Sequence, residues 1–176
     1  IISQHSESYR KIRNTLRFLL GNISDNFSLD EVENINFQNL DIIDTFILYK
    51  ISDLDEKFYK FSDKNDFHKI YVELLNFCTV DLSSFYFDIR KDTLYCDDLA
   101  NTKRINCVNT LKIALLFLMK WLNPILSFTI EEAFQILRSS QNNENIAFEE
   151  SIFLVDFKKI DYRNLLEFNK LDWVAE

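Results

Sequence analysis

The chain has 176 residues and a formal net charge of −8; 47% of its residues are hydrophobic, 15% are aromatic, and it holds one Gly and one Pro. That length suits one domain able to hide about 70% of its unfolded surface, and so few Gly and Pro exclude a sheet protein that turns at short intervals. The acidity counts against wholesale nucleic-acid binding, so any polyanion contact must be local; the longest apolar run, Ile113 to Met119, falls far short of the ~20 residues of a membrane span.

The first predicted element is a helix over Ser6 to Gly21. Tyr9, Ile12, Leu16 and Leu19 recur at steps of three and four and make an apolar stripe. Arg10, Arg13, Asn14 and Arg17 recur the same way, about a third of a turn round. Gly21 is expected to end this helix, because glycine enters the left-handed cap conformation without penalty. Residues 1–24 carry a net charge of +3, so the remaining residues carry −11. A basic strip on an acidic body has two readings: a solvated helix face, or a row of guanidinium forks that meets phosphates.

A polar connection, Asn22 to Asn39, leads to a long amphipathic helix over about 39–62, with Leu40, Ile43, Ile47, Ile51, Leu54, Phe58 and Phe61 on its inner side. Asp41 and Asp44 lie near its start, where the helix dipole favours acids. After a break at Ser62 to Asn65, a third helix is expected from about Asp66, with Phe67, Ile70, Leu74, Phe77 and Cys78 inward. Its stripe runs on through Leu82, Phe85 and Ile89, either as one kinked helix or as two, with Tyr86 facing a different partner. A second polar interval, Asp97 to Thr102, precedes a helix carrying Val108, Leu111, Leu115, Leu118 and Leu122, apolar on most sides and so central. Pro124 ends it. Thr129 and Glu132 have capping-box spacing and open a short helix to about Leu137. Ser139 to Asn145 reads as a linker, residues 151–157 as an extended segment lying on the bundle, and Asn164 to Glu176 as the beginning of a further helix. The expected class is therefore all-α: a helix bundle over 1–139, then a linker, extended segment and truncated helix over 140–176.

The inventory of chemical groups is sparse. One glycine makes no phosphate loop. His5 and His68 lack partners at ligand spacing, so no metal is expected. Asp97–Asp98, Glu131–Glu132 and Glu149–Glu150 suit capping and solubility better than acid–base work. Cys78, Cys96 and Cys107 read as reduced, mostly buried thiols. Trp121 follows the central stripe and reads as core in preference to a base-stacking platform. Arg90, Lys91, Lys103 and Arg104 form a second, looser basic group, best explained as a solvated face. The chain begins with Ile and shows no signal peptide, and is expected to be a piece of a longer protein.

Three stretches carry a family resemblance. SESYRKIRNTLRFLLGN (6–22) resembles the helix that follows the catalytic domain in isoleucyl-tRNA synthetases, of the bacterial or organellar branch. DFHKIYVELLNFCTVDLSSFYFDIRKDTLY (66–95) and WLNPILSFTIEEAF (121–134) are similar to the next two hallmarks, in the same order and spacing. Valyl enzymes share the architecture but usually read Asp-Trp-Tyr near Ser84, Phe85 and Tyr86. Thr93 stands where the family commonly has Arg, Asn109 where it has Gln, Asn123 where it has Ala and Phe134 where it has Trp.

The resemblance implies an anticodon-binding domain of a class I synthetase. Its partners would be isoleucine tRNA, gripped at the anticodon arm, and the remaining domains of a parent ligase; a monomer in the cytoplasm with no membrane partner is expected. The family's ATP-binding signatures, His-Ile-Gly-His and Lys-Met-Ser-Lys-Ser, do not occur in this sequence. ATP and zinc are therefore expected only in a full-length enzyme, and this stretch alone is expected to have no catalytic activity. The implied tRNA-binding residues are Arg10, Arg13, Asn14 and Arg17, with Lys91 and Arg104 as weaker candidates. The alternative from another class is a helical protein-interaction or scaffold domain without an RNA role.

Overall fold

A computed structural model describes residues 2–23, 39–139 and 150–155. Among these the chain is all-α, as expected. Helix α1 spans Ile2–Ile23, α2 Ile42–Ser62, α3 Phe67–Asn76, α4 Phe87–Cys96, α5 Thr102–Leu122 and α6 Ser127–Ser139. Phe77–Tyr86, joining α3 to α4, is π-helical, and Ile152–Leu154 is a 3-10 turn. Residues 1, 24–38, 140–149 and 156–176 lie outside the described residues, and with them the expected linker, C-terminal helix and Trp173.

Helix α5 is the hub. Leu111 and every residue from Ile113 to Met119 are at most 1% exposed, and α1, α2, α4 and α6 all pack against this helix. By length and composition alone α5 could cross a membrane, yet 72% of its apolar window is buried inside the bundle. It stops at Leu122, two residues before Pro124. Trp121 is core: fully buried, with its ring edge-on to Phe77 and its Nε1 donating to Asp55 at 2.9 Å.

The α1 and α2 stripes are inward as their spacing dictates. Ile12, Leu16, Leu19, Ile47 and Ile51 are buried, and Phe58 and Phe61 pack half-buried beside them. Gly21 departs from expectation. The helix runs through it to Ile23 and its φ is not positive; the next turn keeps Ile23 in the core, and that burial outweighs the entropic cost of glycine in a helix. The left-handed conformation falls instead to Asn39 (φ 52°) and Asn65 (φ 55°), since Asn tolerates it best after Gly. Asn65 closes the α2–α3 turn, where the Asp66 N–H reaches back to the Phe61 carbonyl at 2.9 Å.

The question of a kink or a break has a third answer. The backbone is continuous but widened from Phe77 to Tyr86, with bonds closing five residues back in place of four. The Ser83 and Ser84 hydroxyls follow this geometry, donating to the carbonyls of Cys78 and Thr79 at 2.7 and 2.8 Å. Widening stretches the inward period, so Cys78, Leu82, Tyr86, Arg90 and Leu94, each four apart, are buried. Phe85 and Ile89, expected inside from an unwidened helix, are turned out to 38% and 42% exposure. Phe67, at the start of α3, is also exposed.

The widened turn brings Arg90 into the interior, correcting its assignment to a solvated basic face. Arg90 is 1% exposed and pairs with both Asp41 and Asp44, the latter at 2.9 Å. Asp41 also caps α2, accepting from the N–H groups of Ile43 and Asp44 at 3.1 and 3.0 Å, and Asp44 accepts from the Tyr86 hydroxyl at 2.6 Å. Burial pushes the Asp44 carboxyl up to about 6, against the Tyr86 hydrogen bond and the Arg90 charge. Asp41 is also raised by burial, but its bonds from Arg90 and the α2 backbone outweigh this and hold it below the usual carboxylate range.

Thr129 and Glu132 do not form a capping box. Helix α6 starts at Ser127, whose hydroxyl donates to the Asn123 carbonyl at 2.7 Å, so Thr129 already lies inside the first turn. The expected extended segment is the 3-10 turn, flanked by extended Ser151 and Val155. Glu131 fastens it to α6, accepting from the Ser151 hydroxyl at 2.8 Å and the Ile152 N–H at 3.0 Å. All three cysteines are free: Cys78 and Cys107 are buried, Cys96 exposed. Burial pushes the two interior thiols up, Cys78 to about 12 and Cys107 to about 11.

Two outcomes follow from the buried cluster. Arg90→Ala strands two carboxylates and is expected to destabilise the fold by about 3–5 kcal/mol, read from the urea midpoint at constant m-value. Asp44, raised when folded, contributes stability that is complete below its ordinary value of 3.8 and lost as pH rises through about 6. The melting temperature of the native chain minus that of Asp44→Asn should therefore fall between about pH 4.5 and about pH 7.5.

Candidate nucleic-acid interface

The basic residues of α1 lie along one side of the bundle because the opposite stripe of the same helix is locked down. Ile12, Leu16 and Leu19 are buried against α5 and its neighbours. Thr15, 2% exposed, donates to the Cys78 carbonyl at 3.3 Å and meets the Ser83 hydroxyl at 3.2 Å. Phe18 stacks on Phe87 with centroids 4.1 Å apart. These contacts fix the rotation of α1, so Arg10, Arg13, Asn14 and Arg17 share an outward arc whose ends lie about 10 Å apart along the axis at ~1.5 Å per residue.

The structure brings the four together but gives them different surroundings. Arg13 forks Glu132 of α6, with Nη1–Oε2 at 2.9 Å and Nη2–Oε1 at 2.8 Å, and both side chains remain 40% or more exposed. Its Nη1 also donates to the Tyr9 hydroxyl at 3.2 Å, which lies 3.0 Å from the Thr129 hydroxyl. Bonds with Thr129 and Arg13 hold the Tyr9 phenol below its ordinary value. Arg10 pairs with Glu7, one turn back, at 2.8 Å and is 70% exposed. Arg17 and Asn14 are exposed, and among the described residues no hydrogen bond or ion pair holds the Arg17 guanidinium. Arg13 and Arg17 border a shallow cleft of about 30 Å³ floored by Leu16, Leu20 and Ile136.

The second basic group is dispersed. Arg90 is interior, and Lys91 pairs with Asp88 on its own helix at 2.9 Å. Arg104 is half-buried, its Nε donating to the Leu94 carbonyl in the last turn of α4 at 3.1 Å, a use of cationic side chains common at helix C-termini. Lys103 is exposed. His5 and His68 are exposed and in separate places, and among the described residues no group of three or more His, Cys, Asp or Glu is placed to hold a metal.

Sequence reasoning misses two members of this edge. Glu132 reads as a capping acid, and nothing local in the sequence signals that it crosses to α1. Phe128 does carry a signal: it is out of phase with the inward stripe of Ile130, Phe134 and Leu137, and it is 94% exposed.

Chemically the edge offers two exposed, ion-paired arginines, a third with open donors and an amide that both donates and accepts. Guanidinium forks suit phosphate oxygens, and Asn suits a base edge or a 2′-hydroxyl.

Comparison with known proteins bears on the family of the chain. The family described as the anticodon-binding domain of tRNA ligase matches residues 44–176. The isoleucine–tRNA ligase of Pelagibacter ubique is 48% identical over 143 residues, which is 81% of this chain and 16% of that protein. That of Natranaerobius thermophilus is 35% identical over 181 residues, 97% of this chain and 19% of that protein. That of Petrotoga mobilis is 39% identical over 146 residues, 83% of this chain and 16% of that protein. The chain thus spans less than a fifth of the length of these relatives. With a match running through α2 to α6 and beyond, the chain belongs to the family of anticodon-binding domains of tRNA ligases.

Proposed function

We propose that this chain binds the anticodon arm of isoleucine tRNA as the RNA-gripping part of an isoleucine–tRNA ligase. The observation that carries the reading is the outward row on α1, rigidly backed by the core, in a chain of the anticodon-binding family. Arg17 and Arg10 contact phosphates and set the register, and Arg13 joins them by exchanging the Glu132 carboxylate for a phosphate. Asn14 meets a base edge or 2′-hydroxyl. Phosphate contacts position the RNA, and base contacts specify it. The acidic remainder disfavours RNA bound elsewhere on the surface.

Residues 1–139 form the tRNA-facing bundle in this reading, and the described turn at Ile152–Leu154 packs onto it through Glu131. The chemistry of isoleucine activation, with its ATP and zinc, belongs to other parts of such a ligase, so this chain acts without a cofactor, as a monomer in the cytoplasm. Lys91 and Arg104 are weaker candidates: Lys91 lies on α4, apart from the α1 row, and Arg104 is half-buried with its Nε turned to the Leu94 carbonyl.

A second reading, a protein-interaction domain, is favoured by exposed Val80, Phe85 and Ile89 along the widened helix and α4. The two separate in solution. Arg17→Glu with Arg13→Glu should weaken binding of isoleucine tRNA and flatten the slope of log K against log salt by roughly 0.7–0.9 for each phosphate no longer neutralised, measured by filter binding at two salt concentrations beside a valine tRNA. An unchanged affinity and slope would leave the row a solvated face. Glu132→Gln should strengthen tRNA binding several-fold in the same assay, because it releases Arg13 and removes a competing anion.

A further inference from the structure

We propose that Phe128 is a stacking platform for one unpaired RNA base, set beside the phosphate-binding row of α1; this rests on the tRNA reading above. Phe128 is the second residue of α6 and is 94% exposed, the most open large hydrophobic side chain among the described residues. It makes no ring contact among them. Single exposed apolar residues are ordinary on protein surfaces. Two observations set this one apart.

The first is position. Glu132, which takes the Arg13 fork, lies one helical turn beyond Phe128, and side chains four apart on a helix have Cβ atoms about 5–6 Å apart. Thr129, the next residue, meets the Tyr9 hydroxyl that Arg13 also touches. The ring therefore stands at one end of the edge where α1 and α6 meet, one helical turn from the carboxylate that holds the Arg13 guanidinium. The second is rigidity. Ile130, Phe134 and Leu137 hold the opposite face of α6 in the core, so the ring is carried on a fixed helix.

A flat apolar surface next to a row of cations is what a single-stranded polynucleotide needs: the base gives up its face to the ring while the neighbouring phosphate meets the guanidinium. Charge complementarity selects RNA as the occupant: the α1 face on this side carries Arg13 and Arg10, both held only in exposed ion pairs that a phosphate can replace, and Arg17 one turn beyond Arg13. Stacking is tolerant of base identity. Phe128 thus orders the strand, and reading of sequence is left to groups such as Asn14.

The test uses the 176-residue chain and a synthetic anticodon stem-loop of isoleucine tRNA. Phe128→Ala should weaken binding roughly 5- to 150-fold, with an unchanged salt slope and an unchanged melting temperature. Phe128→Trp should bind like the native chain, and its added indole emission should be quenched by the RNA, read against the emission change of Trp121 and Trp173 in the native chain. Native affinity in Phe128→Ala, or RNA bound without quenching in Phe128→Trp, would overturn the platform and leave the tRNA reading standing. A native chain that does not bind the stem-loop at any salt would overturn both.

Discussion

Ten residues of widened helix decide which side chains the rest of the bundle meets. A regular α-helix through Phe77–Tyr86 would send Phe85 and Ile89 inward. The π geometry lengthens the inward period to four and delivers Tyr86, Arg90 and Leu94 in their place. The same segment accepts Thr15 of α1 at its Cys78 carbonyl, and Phe87, immediately after it, stacks on Phe18. The rotation of α1, and with it the direction of the basic row, is therefore set from the widened turn. π-helical segments are rare and concentrate at functional sites; here the segment supports the candidate interface from behind.

Electrostatics is divided by depth. Arg90 is spent inside, where one guanidinium serves two carboxylates and the cap of α2. The α1 arginines stay at the surface, where exposed ion pairs are weak and salt-screened. The difference matters for function. A buried pair cannot be exchanged without uncovering charge, whereas Glu132 and Glu7 hold their arginines in pairs that an incoming phosphate can replace.

Much of the fold was legible because period and burial agree. The stripes of α1, α2 and α5 follow regular helical spacing, and Ile12, Leu16, Ile47, Ile51, Leu111 and Leu115 are all inside. Legibility ended where a tertiary contact overrode a local rule. Gly21 remains helical because Ile23 is buried beyond it; Thr129 falls within the first turn of α6 because Ser127 starts the helix; and the stripe beyond Leu82 slips because no sequence rule announces a π turn. The candidate site was legible in half. Periodicity grouped Arg10, Arg13, Asn14 and Arg17, but a single helix says nothing of its neighbour across the groove, so Glu132 emerged only once α1 and α6 were side by side, and Phe128, off the inward stripe in the sequence, gained a place beside the row only there.

The placement of sulfur gives the molecule one accessible chemical address. Cys78 and Cys107 lie in the interior as protonated thiols, poor nucleophiles at neutral pH. Cys96 sits in the open at the end of α4, two residues from the carbonyl that Arg104 engages. A thiol-directed fluorophore would thus attach at a single defined point without mutagenesis, on the fringe of the lesser basic group, and would report nucleic acid arriving there separately from nucleic acid arriving at α1.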